Sequence, residues 1–153
     1  MNKTTFFTIL KELEENEPVQ KEVMKNFADN LWWPACIEDS RLRLLIGGLS
    51  SRISYSMIDT YRAVIFRIAE SGYQAICAMS DDELTELIRP LGLFHTRVSY
   101  IRSMIQFISQ KSSFFEEWSD EVFIKEIAQN VKNASYKIGQ CCVLYYRMYP
   151  NRV

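Results

Sequence analysis

Glycine and proline are scarce in this chain, five and four residues among 153, which excludes collagen-like and low-complexity classes. Histidine occurs once, at His95, and Cys36, Cys77, Cys141 and Cys142 show no C-x-x-C spacing, so no structural zinc set is legible. The adjacent pair is poorly placed to bridge itself, and the four cysteines are expected as buried free thiols of a reducing cytoplasm. Net charge is −1, which excludes a strongly cationic nucleic-acid binder on bulk charge. No apolar run reaches membrane-spanning length, and the opening MNKTTFFTILKELEENE is too short and too acidic for a signal peptide. P-loop, dinucleotide-binding, metalloprotease and nucleophile-elbow motifs are absent from the sequence. The expectation is a cytoplasmic protein without cofactor, metal or membrane partner.

What the chain does carry is apolar material, 48% hydrophobic and 13% aromatic, enough for one helical domain over residues 1–153. Periodicity near 3.6 runs from end to end. Thr4 or Thr5 is expected to cap a helix striped by Phe6, Ile9, Leu10 and Leu13. Pro18 suits the first turn of a second, carrying Val19, Val23, Met24 and Phe27. Leu31, Trp32, Trp33 and Pro34 break the pattern, and Ser40 opens a short, very apolar helix. Ser54 then precedes Met57, Ile58, Tyr61, Val64, Ile65 and Ile68, and Gly72 closes that run. Ser80 and Glu83 form a capping-box pattern ahead of Leu84, Leu87 and Ile88. Further helices are expected on Val98, Ile101, Ile105 and Ile108, on Val122, Phe123 and Ile127 behind Ser119, and on Ile138, Cys141, Cys142, Tyr145 and Met148. With seven or eight helices and no strand, the fold class is all-α.

Charge is graded along the chain. Residues 1–40 are acidic at −4, residues 41–111 are basic at +3, and no acid follows Glu126 while Lys132, Lys137, Arg147 and Arg152 do. A polyanion would meet the second half. Glu12, Glu14, Glu15 and Glu17 read as a solvated helix face, His95 as a surface residue, and Phe114, Phe115 and Trp118 as core.

The stretch 41–110 carries an apolar helix ending in the polar turn Leu49-Ser50-Ser51-Arg52-Ile53-Ser54 and then a long helix. A short capped helix follows, ending in Ile88-Arg89-Pro90-Leu91-Gly92-Leu93-Phe94, and a basic-apolar helix begins at Thr96-Arg97. In that order these features resemble the helix-hairpin-helix DNA glycosylase superfamily, which includes endonuclease III and the thymine glycosylase of the methyl-CpG-binding type. The segment from Asn133 to Pro150 is similar to the helix after that family's hairpin. The fold implied is a shortened helical bundle of the glycosylase type.

The resemblance implies that the Ser51-Arg52 turn and the Gly92-Leu93-Phe94 loop enter a duplex from which one nucleotide is flipped out. Arg52 would fill the vacated space and Leu93 would wedge the opposite strand. The alternative is that Arg52 merely ends a helix and Leu93 packs inward. Lys132, Lys137 and Arg147 are expected against phosphates, and Tyr136 and Lys137 stand nearest the family's catalytic Tyr or Lys.

Two departures qualify the resemblance. The family's hairpin uses glycines for close approach of backbone amides to a phosphate. Here none occurs between Gly92 and Gly139, and the stretch from Ala128 to Asn133 offers Asn instead. The family's essential aspartate follows an aromatic-Pro segment such as Tyr149-Pro150, where this sequence reads Asn151-Arg152-Val153. No iron–sulfur cysteine cluster is present in the sequence either. The leading expectation is a glycosylase-like pseudoenzyme that binds DNA or a partner, as a homodimer or with a second chain. One alternative is an active base-excision glycosylase whose aspartate comes from further residues or another chain. The other is an interaction or inhibitor protein using the fold as a surface.

An oxocarbenium-like transition state without its carboxylate loses on the order of a hundredfold or more in rate. These 153 residues are therefore expected to excise no base. Alkaline cleavage of labelled duplexes carrying G·T, G·U, alkylated or oxidised bases measures this, and enzyme-dependent breaks at any of them would contradict it.

Overall fold

A computed structural model describes residues 2–30 and 37–147 of the chain. All regular elements among the described residues are helical, in line with the all-α expectation, and none of these helices is long and apolar enough to cross a membrane. The chain divides into two compact units, 1–36 and 37–153.

The first unit is a helical hairpin of α1 (Lys3–Glu14) and α2 (Glu17–Asn30). Asn2, rather than Thr4 or Thr5, caps α1: its Oδ1 accepts from the Thr5 amide at 2.8 Å and the Thr5 hydroxyl at 2.9 Å. Asn16 Oδ1 accepts from the Val19 amide at 3.2 Å, and Pro18 stands in the first turn of α2, where no amide is needed. The stripe Phe6, Ile9, Leu10 and Leu13 is exposed, as are Val23 and Met24. The expected break at residues 31–34 lies outside the described residues.

The second unit holds α3 (Ser40–Leu49), α4 (Ile58–Ser71), α5 (Tyr73–Ala78), α6 (Asp81–Ile88), α7 (Phe94–Lys111), α8 (Asp120–Asn130) and α9 (Tyr136–Arg147). That gives nine α-helices among the described residues, not seven or eight. The unexpected one is α5, whose six residues after Gly72 are too few to display a period. Ser54 does not cap α4, because a 3-10 turn over Tyr55–Met57 intervenes. Ser80 and Glu83 do form the reciprocal capping box of α6.

Helix α3 lies at the centre of this unit because residues 47 and 48 have no side chains. A Cβ on Gly48 would fall 2.1 Å from the Tyr100 ring, and one on Gly47 would fall 2.8 Å from Cys142 Sγ. Their absence admits α7 against one side of α3 and α9 against another. Tyr100 then secures the contact. Its hydroxyl donates to the Leu44 carbonyl at 2.7 Å and accepts from the Gly48 amide at 3.1 Å, the two ends of one helical step. Cys142 Sγ stands 3.3 Å from the same hydroxyl, and burial pushes this thiol up to about 12, so it stays protonated and inert at neutral pH. Cys77 and Cys141 are partly exposed, so the expectation of buried thiols holds for Cys142 and not for these two.

The buried face of α7 is Arg97, Val98, Tyr100, Ile101, Met104, Phe107 and Ile108, while Ile105 is only half-buried. Three of the four residues expected on this stripe, Val98, Ile101 and Ile108, are thus buried, and the inner face is wider than the stripe because a charged residue and a tyrosine share it. Phe115 is buried among Phe107, Trp118 and Phe123, as a core aromatic, whereas Phe114 is exposed and stacks on Trp118 at 6.1 Å. At the α8–α9 crossing a Cβ on Gly139 would meet the Ile124 carbonyl at 2.8 Å, so this position also needs glycine.

Gly48→Ala is expected to cost about 3 kcal/mol or more, because the methyl group falls inside a ring that the core cannot displace. Thermal unfolding should show a fall in Tm on the order of 10 °C. A change within a degree or two would mean that α7 sits further from α3.

Candidate functional site

Three non-glycine residues among those described adopt left-handed backbone: Arg52 at φ 58°, Leu93 at φ 49° and Asn133 at φ 61°. For an ordinary L-residue this conformation costs about 1–2 kcal/mol, less for asparagine. Such strain persists only where surrounding contacts impose it, and it gathers at functional sites. The three come from the α3–α4 turn, the α6–α7 loop and the α8–α9 turn, far apart in sequence. All three line one cleft of about 700 Å³.

The sequence shows why each segment turns there. Ser50 caps α3, its Oγ donating to the Gly47 carbonyl at 2.9 Å, and the chain reverses through Ser51 and Arg52. Pro90 prevents α6 from continuing as an α-helix, a 3-10 turn over Arg89–Leu91 follows, and Gly92 at φ 67° swings the chain outward. Leu93 comes next as the residue before α7. Between α8 and α9, Asn133 Nδ2 donates to the Thr96 carbonyl at 3.2 Å, and the Lys132 amide donates to Ser103 Oγ at 2.9 Å. This turn is therefore fixed to α7 at two points, Thr96 in its first turn and Ser103 midway along it. Ser135 Oγ accepts from the Ile138 amide at 3.3 Å and starts α9.

One side chain joins the first two tips. Arg97 is 4% exposed, and all its hydrogen bonds run to backbone carbonyls. Nε donates to Gly92 at 2.9 Å, Nη2 donates to Ser51 at 3.1 Å and to Leu91 at 3.4 Å, and Nη1 donates to Leu49. Burial lowers its pKa from the ordinary guanidinium value, and the charge is balanced by carbonyl dipoles rather than by an acid.

Of the residues singled out in the sequence, Ser51, Arg52, Leu93 and Lys137 line the cleft. Leu93 is 50% exposed and does not pack inward, and Arg52 is exposed and lies beyond Leu49 and Ser50, which end α3. The other four stand elsewhere. Phe94 is half-buried at the start of α7, 4.4 Å from the His95 ring and beneath the Arg89 guanidinium. Lys132 lines a separate polar groove with His95, Arg102 and Asp81, and Tyr136 is exposed at the first position of α9. Arg147 is taken up by the protein itself. Its Nη2 donates to the Phe115 carbonyl at 2.8 Å and the Trp118 carbonyl at 2.9 Å, and its other nitrogens pair with Glu116 and Asp120.

The sequence reading did not single out Thr96, Ser135, Ile138 and Cys141, which complete much of the cleft wall. Ile138 and Cys141 belong to the apolar stripe of α9 but sit at its edge, half-buried, while Gly139, Cys142, Val143 and Tyr145 take the inner face. Nothing in the sequence marks Arg97 as a bridge, because its burial and its acceptors appear only once the helices are packed.

The cleft has a definite chemistry. Arg52 and Lys137 supply cations, Ser50, Ser51, Thr96, Asn133 and Ser135 supply polar groups, and among the described residues none that lines the cleft is acidic or aromatic. No cluster of metal-ligating side chains occurs among the described residues. Such a wall favours an anion such as a phosphodiester and lacks a carboxylate for acid–base work. Comparison with known protein families, with curated proteins and with solved structures finds no match.

Because Leu93 is held at positive φ, Leu93→Gly should raise stability by about 0.5–1 kcal/mol despite glycine's entropy cost, and Leu93→Ile should lower it by about 1 kcal/mol. Urea denaturation reads both. The reverse order would place Leu93 in an ordinary extended or helical conformation.

Proposed function

We propose that this chain is a DNA-binding relative of the helix-hairpin-helix glycosylases, one that holds a duplex open at a single position without cleaving a glycosidic bond itself. The observation that carries this reading is the convergence of three left-handed residues on one cation-lined cleft. Two of them, Arg52 and Leu93, are the residues that the family resemblance assigns to the opened duplex. A guanidinium can hydrogen-bond the edge of an orphaned base, and an exposed leucine can replace lost stacking. Lys137, beside them on α9, is suited to the adjacent phosphate. Asn133 takes at the hairpin turn the left-handed conformation for which the family uses glycine. The lack of any carboxylate along the cleft favours binding over excision.

A second reading, an interaction protein, is favoured by a different surface. Within the hairpin of α1 and α2, Leu10, Leu13, Val19, Val23 and Met24 line an apolar groove of about 620 Å³. Exposed apolar surface of this kind marks protein contacts, whether with a second copy or another chain.

Fluorescence anisotropy with intact, mismatched and abasic-analogue duplexes over a salt series tests the first reading. Affinity should be highest on the abasic analogue. Arg52→Ala and Leu93→Ala should remove that preference while barely changing binding to intact duplex. Lys137→Ala should weaken every duplex alike and reduce the salt slope by about 0.9, one phosphate's worth. Arg147→Ala should lower Tm and leave the slope unchanged, since its guanidinium is bound to Phe115 and Trp118. Equal, salt-insensitive binding to all three duplexes would overturn the DNA reading in favour of the protein-contact one.

A further inference from the structure

We infer that Arg97 is a positioning residue that latches the Arg52 turn to the Leu93 loop, so that the two tips move as one unit. The inference rests on the proposed duplex binding for its consequence, but the coupling itself is a property of the free protein.

The argument lies in which carbonyls Arg97 grips. The Ser51 carbonyl belongs to the peptide unit joining Ser51 to Arg52, and the Gly92 carbonyl to the unit joining Gly92 to Leu93. Rotation of that peptide unit about the N–Cα bond is what φ measures at Arg52 and at Leu93. A donor fixed on each carbonyl therefore holds each residue at its positive φ. The same planar guanidinium does both, through Nη2 at 3.1 Å and Nε at 2.9 Å. Its third nitrogen is bonded to the last residue of α3, Leu49, so the pair is referred to the central helix. A role confined to capping α3 needs only the Leu49 contact. It leaves the Gly92 and Leu91 bonds, on the opposite loop, without an explanation.

The latch also explains how two strained residues coexist. Hydrogen bonds from a charged donor are among the stronger ones in a protein, and here they are shielded from water. Lysine at this position keeps the charge but has one compact head group, which cannot span both loops. Releasing one tip through such a change releases the other.

Hydrogen-exchange mass spectrometry on the free protein tests the coupling. In Arg97→Lys, peptides covering residues 50–54 and 91–95 should exchange together, each about tenfold faster or more, while α8 and α9 keep their protection. If only one of the two peptides loosens, or neither does, the latch is wrong. Should Arg97→Lys fail to fold, Leu93→Gly in the otherwise native chain serves instead. Relaxing Leu93 should then change exchange at residues 50–54 by about threefold or more, and no change there overturns the coupling.

The functional arm uses the abasic-analogue duplex. Arg97→Lys should lose the preference for it over intact duplex, with an unchanged salt slope. Adding Arg52→Ala or Leu93→Ala to Arg97→Lys should alter the preference less than about twofold, because the tips no longer act. Full additivity of those changes contradicts the proposal. Absence of any preference in the native chain defeats the DNA reading alone, and exchange still decides the latch.

Discussion

The contact between Tyr100 and the glycine pair of α3 is the constraint on which the rest of the second unit depends. Removing two side chains from a helix costs backbone entropy, about 0.5–1 kcal/mol for each glycine. The gain is close approach of α7 and α9, with the Tyr100 hydroxyl bound to Leu44 and Gly48 and Cys142 packed against Gly47. Once α7 is held at Tyr100, the residue one turn earlier on the same face is Arg97, directed at the C-terminal end of α3. Once α9 is held at Cys142, its neighbour Cys141 and the preceding Lys137 and Ile138 face the cleft. The position of the cleft is thus set by the helix packing below it.

The polar chemistry at the cleft is the complement of that packing. The end of α3 and the turn that follows α6 both direct carbonyls at Arg97, and carbonyls at helix ends and turns need donors. Arg97 supplies several at once, adding to the single backbone bonds, Ile53 to Ser50 and Gly92 to Arg89, that close the two short turns. Arg43 acts similarly at the other end of α3, donating to the Ile37 carbonyl at 2.6 Å, Glu38 at 2.9 Å and Tyr146 at 3.2 Å. Arginines in this unit are thus divided by role. Arg43, Arg97 and Arg147 bind backbone carbonyls, while Arg52 is exposed at the cleft. Net charge does not reveal that division, because it counts the structural and the exposed cations alike.

Much of the fold was legible in the sequence because helix periods and caps are local. The Ser80 box, the Pro90 stop, the Gly72 terminus and the Ser119 start each depend on a few neighbouring residues. Val98, Ile101 and Ile108 of α7 were legible as core, but the full width of its buried face was not, since periodicity scores apolar residues and the inner face includes Arg97. The short α5 was missed for lack of length. At the cleft, Ser51, Arg52, Leu93 and Lys137 could be singled out through a family resemblance, and the structure brings these four to one cleft. Arg147 could not be assigned from its charge, because its acceptors at Phe115 and Trp118 lie 29 to 32 residues away. Ile138 and Cys141 were hidden for the same reason: a residue at the edge of an apolar stripe looks like core until the neighbouring helix is placed.

Strain and exposure together distinguish the cleft from an incidental gap between turns. A left-handed leucine followed by a helix could be relieved by glycine, and an exposed leucine contributes little to the core. Stability alone therefore favours replacing Leu93, and the same holds for Arg52. Both instead sit at turns whose carbonyls are gripped by one buried arginine, an arrangement that fixes where the two side chains point. Rigid presentation lowers the entropy lost when any ligand is bound, because the side chains are already ordered. The α8–α9 turn at Asn133 adds a third fixed point, tied to α7 through Thr96, the residue next to Arg97. Three turns referred to one helix start thus give the cleft a geometry that its solvent-exposed loops could not maintain separately.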